Sequence, residues 1–428
     1  MQEKLYTVAI IGVGARGGNV YGRLMCQFPN RFRIVALCDK RQERLDAFGA
    51  EFQVDEKLRF ADEEEFFKEK RADLLVIATQ DKDHVEHCLK AFERGYDILM
   101  EKPITDKKEE CKAVLSAQKK YGCKALICHV LRYAPAFLKV AELIDDGKIG
   151  RLVAINSLER VTYWHQAHSY VRGNWRTTKE TAPMILAKCC HDLDLIQYYA
   201  KSKCKSVSSV GGLTYFTPEN APKDSAKRCT DCKLVESCPY SAKKLYIDRW
   251  KKAYSPEDYW PYNVLVAAPV TEEKLWDALK NGPYGRCVFA CDNDVVDHQL
   301  TQMSFENGVK ACLTMTAFTT DDQSELYGLG RRMTFHGTLG EIILDELDDS
   351  VCLQVFGQAK QVFKINALGD MGYGHGGGDF YLIKELCDML DGNSNSSTSL
   401  EASIESHLMG IYAEESRLQD GKLLYIHE

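Results

Sequence analysis

The chain is 428 residues long, and because single hydrophobic cores stop growing near roughly 250–300 residues, two domains are expected. Apolar residues make up 45% and charged residues 27%, the balance of an ordinary folded protein and not of a disordered or fibrous one. The formal charge of −7 comes from 55 basic and 62 acidic residues with no Lys/Arg block, which argues against nucleic acid as a partner. The N-terminal MQEKLYTVAIIGVG has no basic-then-apolar leader pattern, and no run of about 18 apolar residues occurs, so neither secretion nor membrane insertion is expected. Most of the 17 cysteines stand singly in apolar runs, as Cys38, Cys88, Cys128 and Cys312 do. Reduced cysteine behaves there as a small hydrophobe, and a cytoplasmic protein is expected.

In chain order, YTVAII (Tyr6–Ile11) is a short apolar run that stops at glycines, which predicts a buried strand. A helical stretch to Phe28, the strand FRIVALC (Phe32–Cys38), a polar helix at 40–50 and the strand ADLLVIAT (Ala72–Thr79) follow. A helix over 83–94, the strand DILM (Asp97–Met100), a helix over 106–121 and the strand KALICH (Lys124–His129) complete the series. Continuous apolar strands alternating with helices predict a parallel sheet covered on both faces, a Rossmann-type domain over 1–128. Beyond it the pattern changes to longer alternating strands, LVAINSLERV (Leu152–Val161) and KACLTMTAF (Lys310–Phe318) among them. An α+β domain with a large, mostly antiparallel sheet is expected over 129–428, with an insertion at 216–297 that is too long for a simple connection. A helix near 135–146, a strand at Gly357–Asn366, an exposed loop at Asn393–Ser399 and a helical last 50 or so residues complete the reading.

Gly12-Val13-Gly14-Ala15-Arg16-Gly17 matches GxGxxG between the first strand and the first helix. The first Gly makes the turn, the second lets backbone approach a pyrophosphate, the third allows close helix packing, and the helix N-terminus favours negative charge. Asp39 ends the second strand, where a carboxylate accepts hydrogen bonds from ribose hydroxyls. That combination predicts NAD, although Lys40 and Arg41 beside the acid leave NADP open. Thr79 lies at the carboxyl end of its strand, where ligands of open parallel sheets collect, with a helix or turn cap as its alternative. His84, Glu101 and Lys102 complete the expected cofactor-side set.

Met100-Glu101-Lys102-Pro103, together with GVGARG, IATQDKDHVEHCLKAFERGYDILMEKP and LRYAP (Leu131–Pro135), resembles the Gfo/Idh/MocA family, the relatives of glucose-fructose oxidoreductase and inositol dehydrogenase. The resemblance implies that Lys102 contacts both a substrate hydroxyl and the nicotinamide. Independently, an ammonium at a strand's carboxyl end, with Pro103 holding Lys102 extended, can polarise an alcohol; a solvated surface lysine is the alternative. The family's second signature is an Asp four residues before a His with a further acid after it. Here His191 and Asp194 match, while the Asp position holds Ala187. His191 is then the base that takes the hydroxyl proton, with Lys188 lowering its pKa or contacting substrate directly; a buried structural His is the alternative.

His165, His168, Arg172, Trp175 and Arg176 crowd into one expected loop after a strand. Such a mixture suits a sugar, because aromatic faces stack on C–H surfaces and forked donors bind hydroxyls, or else an interface. Asp194, His375 and Asp379 are expected to line the same pocket, the last two beside the glycine run Gly376-Gly377-Gly378, for which a flexible hinge is the alternative. Cys229 and Cys232 are spaced CxxC, Cys238 follows, and Cys287 lies downstream. This is spacing for a structural zinc site, with an iron–sulfur cluster or simple packing as alternatives.

The expected activity is hydride transfer between a sugar or polyol hydroxyl and NAD(P). Two further classes stay open: a redox-assisted glycosidase working through a transient keto-sugar, which the missing Asp keeps in play, and a non-catalytic NAD-binding sensor. The carbohydrate is the expected partner, with self-association through the C-terminal sheet.

Overall fold

The structure, a computed structural model, describes residues 4–252, 260–267, 269–320, 330–369, 374–394 and 397–427. Six strands form the first sheet: β1 (Tyr6–Ile11), β2 (Phe32–Cys38), β3 (Arg59–Phe60), β4 (Leu74–Ile77), β5 (Asp97–Met100) and β6 (Ala125–Ile127). They are parallel, in the order β3-β2-β1-β4-β5-β6. Helices on both faces explain the unbroken apolar runs: Val8, Ile10, Leu74 and Val76 bury into one core, while Ala9, Leu75, Ile77 and Ile98 bury into the other. The expected elements are present with ends shifted by a few residues. The exception is β3, a two-residue Arg-Phe strand that is too short to carry a periodic signal.

Register decides where the chemistry collects. Ile11 pairs with Cys38 and Ile77, and Ile77 pairs with Met100. The chain therefore leaves four neighbouring strands along one carboxyl edge, at Gly12, Asp39, Ala78 and Glu101. Strand order reverses at β1, and ligands of open α/β sheets bind outside such a switch point.

The second sheet has nine strands: β7 (Leu152–Thr162), β8 (Cys204–Gly212), β9 (His298–Phe305), β10 (Lys310–Thr319), β11 (Arg331–Gly337), β12 (Gly340–Asp345), β13 (Ser350–Val355), β14 (Gln361–Lys364) and β15 (Leu424–Tyr425). Their order is β14-β13-β12-β11-β7-β10-β9-β8-β15, antiparallel except for β7 beside β10. The short β15 lies within the tail expected to be helical; its Leu424 and Tyr425 extend the sheet edge at β8. Helices Cys190–Ala200 and Leu400–Arg417 pack on one face. On the strands, Val153, Val210, Leu300 and Val362 are exposed.

Two stretches depart from the expected outline. The presumed loop after β7 is wound into helix, Tyr163–His165 followed by a π-helical Gln166–Arg172. The insertion builds a third apolar core on it, in which Phe216, Tyr240, Tyr246, Tyr262, Leu275 and Phe289 close over Trp164, Ala167 and Val171. Residues four apart on a helix share a face, so His168 and Arg172 are carried into that core together.

Candidate active site

A cleft of about 540 Å³ runs along the carboxyl edge of the parallel sheet, lined by Gly12, Gly14, Ala15, Arg16, Asp39, Lys40, Arg44 and Thr79. Gly12 has φ +86°, and a Cβ there would lie 2.4 Å from the Ala78 carbonyl oxygen, so only glycine makes this turn. A Cβ on Gly17 would meet the Gly12 carbonyl oxygen at 2.1 Å, the close approach of helix to strand that a third glycine permits. At Gly14 the nearest atom is the mobile tip of Arg44, at 3.2 Å, which leaves room for a ligand against the backbone. Asp39 is buried and ties the loop to β2: its Oδ2 accepts from the Val13 amide at 2.8 Å and its Oδ1 from the Arg41 amide at 2.9 Å. Val264 and Leu265, from the insertion, close the cleft opposite. The glycine cradle and the buried acid fit a dinucleotide.

Where the parallel sheet meets the second domain, a cavity of about 160 Å³ is lined by Arg16, Thr79, Asp81, His84, Glu101, Lys102, Cys128, Trp175, His191 and His375. Lys102, His191, Trp175 and His375, nominated from distant parts of the chain, thus come together. His191 is buried and its Nδ1 has no hydrogen-bond partner among the described residues. Burial, then the charge of Lys102, holds its pKa well below the usual imidazole value, so the ring is neutral. Lys188 does not supply this effect. Its ammonium turns to Glu159 at 3.0 Å, within a buried group in which Arg331 also meets Glu159 at 2.9 Å and Asp192 at 3.0 Å. A break between helices Met184–Ala187 and Cys190–Ala200 falls at Lys188 and swings it from the His191 side.

Other side chains hold the cavity's lining in place. His84 Nδ1 lies 2.7 Å from the Pro103 carbonyl oxygen and its Nε2 3.2 Å from that of Thr79, so it braces the Lys102 segment and does not reach into the cofactor cleft. The Lys102–Pro103 peptide bond is cis. Arg16 joins the two domains, with Nε on Glu101 and Nη2 on Asp379, both at 2.6 Å. Against the burial that raises it, Arg16 and Lys102 pull the Glu101 carboxyl down to about 2. Asp379 is wholly buried under Arg16 and His375, engaged with them and not lining the cavity. Thr79 is no helix cap, because its hydroxyl pairs with His87 Nδ1 at 3.0 Å.

Several nominated residues are elsewhere. His168 is buried in the insertion core, with Nδ1 2.9 Å from the Tyr246 hydroxyl and its ring stacked on Tyr284. Arg172 is fully buried there too, donating to the carbonyls of Arg286 and Tyr240 at 2.7 Å. Arg176 is paired with Asp292 and Glu180 at the surface. Asp194 is held by Arg132 through two 2.6 Å bonds. His165 packs against Trp164, Trp260 and Tyr170, outside both cavities' linings. The cysteines Cys229, Cys232, Cys238 and Cys287 surround one small cavity. Among the described residues, however, the trio with potential ligand atoms mutually within 4.8 Å is Glu63, Glu64 and Glu86, not cysteines.

The sequence reading missed Asp81 and His407. Asp81 lines the reaction cavity, with Oδ2 buried and unpartnered, and burial raises its pKa. Its position two residues past Thr79, the end of the expected strand, was the available signal. His407 accepts from the Ile104 amide at 2.8 Å across 303 residues of chain, a contact with no local signature.

Residues 6–129 match the profile of an oxidoreductase family with an NAD-binding Rossmann fold, and residues 137–228 match the GFO/IDH/MocA C-terminal domain. The oxidoreductase YteT of Bacillus subtilis is 23% identical over 398 residues, covering 89% of this chain and 88% of that protein. The 2,7-anhydro-N-acetylneuraminate hydratase of Mediterraneibacter gnavus is 24% identical over 252 residues, covering 59% of this chain and 63% of that one. Among solved structures, levoglucosan dehydrogenase in complex with NADH and levoglucosan superposes with a TM-score of 0.70 at 16% identity, covering 99% of this chain and 100% of that one. Among the described residues, no helix is long and apolar enough to cross a membrane.

Proposed function

The chain belongs to the Gfo/Idh/MocA oxidoreductase family, with its NAD-binding Rossmann fold, and from that premise we propose that it is an NAD-dependent dehydrogenase of a sugar or polyol secondary alcohol. The observation that carries this reading is the shared cavity of about 160 Å³ in which Lys102, neutral His191 and Trp175 meet beside the glycine cradle. Bound nicotinamide supplies the hydride acceptor. His191, which lines this cavity, takes the hydroxyl proton, and the Lys102 ammonium steadies the charge developing on the oxygen. Asp81, in the same lining, offers a carboxylate acceptor to a neighbouring hydroxyl, and Trp175 offers an aromatic face. His375 borders the same space, while Lys188 acts only on the buried Glu159 group behind it. The similarity to levoglucosan dehydrogenase supports a carbohydrate of this kind.

Lys102→Ala and His191→Ala should each lower turnover by roughly 10²–10⁴-fold while NAD(H) affinity stays nearly intact, and the double variant should be little worse than the poorer single one. A panel of sugars, inositols and aryl glycosides, read by nicotinamide absorbance and by aglycone release, tests the reaction class. Nicotinamide reduction alone supports the dehydrogenase. Aglycone release with no net nicotinamide change overturns it for the redox-assisted glycosidase, a route that the similarity to an anhydro-sugar hydratase and the alanine at position 187 keep in view. Full activity in both variants would remove Lys102 and His191 from the reaction.

A further inference from the structure

The insertion holds a feature that hydride transfer does not use. Cys229, Cys232, Cys238 and Cys287 line a single cavity of about 20 Å³, closed by Arg172, Leu234, Val235, Val288 and Phe289. That is about the space of one water molecule or one small ion. Cys291 is near in sequence but does not line it. An isolated bridge between Arg228 and Arg286, with the Cys287 amide donating to the Lys227 carbonyl at 2.9 Å, sets Cys287 beside Cys229. The fourth member, which spacing alone left unassigned, is thereby supplied from across the insertion.

Arg172 is the second, independent observation. Its side chain is fully buried, its hydrogen bonds run to the carbonyls of Arg286 and Tyr240 and to Cys229 Sγ at 3.6 Å, and its Nη1 is buried with no partner among the described residues. Among the described residues no carboxylate pairs with it. A buried guanidinium without a counter-charge is costly. Four thiolates around a divalent ion carry a net charge of −2, which would supply that counter-charge. The amide of Ala242 donates to Cys229 Sγ at 3.4 Å, a backbone contact that fixes this sulfur in place.

We propose that Cys229, Cys232, Cys238 and Cys287 form a structural tetrathiolate zinc site, with Arg172 as its buried counter-charge. Zinc is chosen because four sulfur ligands with no open position make a closed tetrahedral site. As the chain stands, no three of these sulfurs lie mutually within 4.8 Å, whereas sulfurs around tetrahedral zinc are about 3.8 Å apart, so binding has to draw them together. Each thiol gives up its proton to solvent as its sulfur binds, and no redox change occurs. The ion staples the insertion, whose Val264 and Leu265 wall the dinucleotide cleft.

The full chain, purified without chelator under reducing conditions, should contain about one zinc per chain by elemental analysis. Cobalt exchanged into it should give the intense thiolate charge-transfer bands and visible d–d bands of a tetrahedral sulfur site. Cys232→Ser/Cys238→Ser should lose the metal, while Cys291→Ser and Cys312→Ser should retain it. If the double variant fails to fold, the cobalt spectrum of the unaltered chain decides. Arg172→Met should bind zinc more weakly in a competition titration against a chromogenic chelator. Metal-free protein that takes up no zinc, iron with labile sulfide in place of zinc, a disulfide among the four cysteines, or metal lost on changing Cys291 alone would each overturn the assignment.

Discussion

His407 offers the sharpest test of how the site is held. Its Nε2 accepts the Ile104 amide proton at 2.8 Å, so the ring's own proton lies on Nδ1 and is donated to the Ser403 carbonyl at 2.7 Å. Ile104 is two residues past Lys102, and this buried imidazole pins the segment that carries the ammonium. A second proton would have to sit on Nε2, against an N–H. Burial, then the neighbouring His129, accordingly pulls the pKa of His407 from 6.5 down to about 3. The unfolded chain binds that proton near pH 6.5 and the folded chain does not, so stability is fully present above 6.5 and is lost as pH falls toward 3. At pH 5 the gap is about 1.5 pKa units, or ~2 kcal/mol. His407→Gln keeps an acceptor for Ile104 and should cost about 1 kcal/mol at pH 7 through poorer geometry, but it removes the titration. Urea unfolding of both proteins at pH 7 and pH 5 should therefore show the unaltered chain's advantage shrinking by ~2 kcal/mol at the lower pH, and even reversing. In parallel, kcat should fall more than NAD(H) affinity, because Lys102 is displaced while the glycine cradle is not. An advantage of equal size at both pH values would refute the neutral, acceptor-bound imidazole.

The two glycines of the turn should fail in different ways. Gly12→Ala should lower thermal stability, since its Cβ would press on the Ala78 carbonyl at positive φ, whereas Gly14→Val should leave the melting temperature near that of the parent and abolish NAD(H) binding by calorimetry. Unchanged affinity in Gly14→Val would displace the dinucleotide from this loop. Arg16→Met strands the buried carboxylates of Glu101 and Asp379 and should destabilise by ~3–5 kcal/mol in chemical denaturation; a loss under ~1 kcal/mol would mean solvent screens them.

Much of this protein is written locally. Apolar runs too long for one exposed face forced a parallel sheet, and glycines at the end of β1, an acid at the end of β2 and Glu101-Lys102-Pro103 after β5 fall on one edge because strand ends in such a sheet are neighbours. What local pattern could not decide is which way a side chain faces when its partner is hundreds of residues distant. His168, Arg172 and Trp175 read alike as sugar-binding residues, yet winding 163–172 into helix carries the first two into the insertion core and leaves Trp175 at the cavity. Lys188 lies three residues before His191 but is drawn away by Glu159 of β7, and Ile104 is fastened by His407 from the last long helix. In each case the deciding force is a buried charge or polar group seeking a partner in low dielectric, and only the closed fold supplies one.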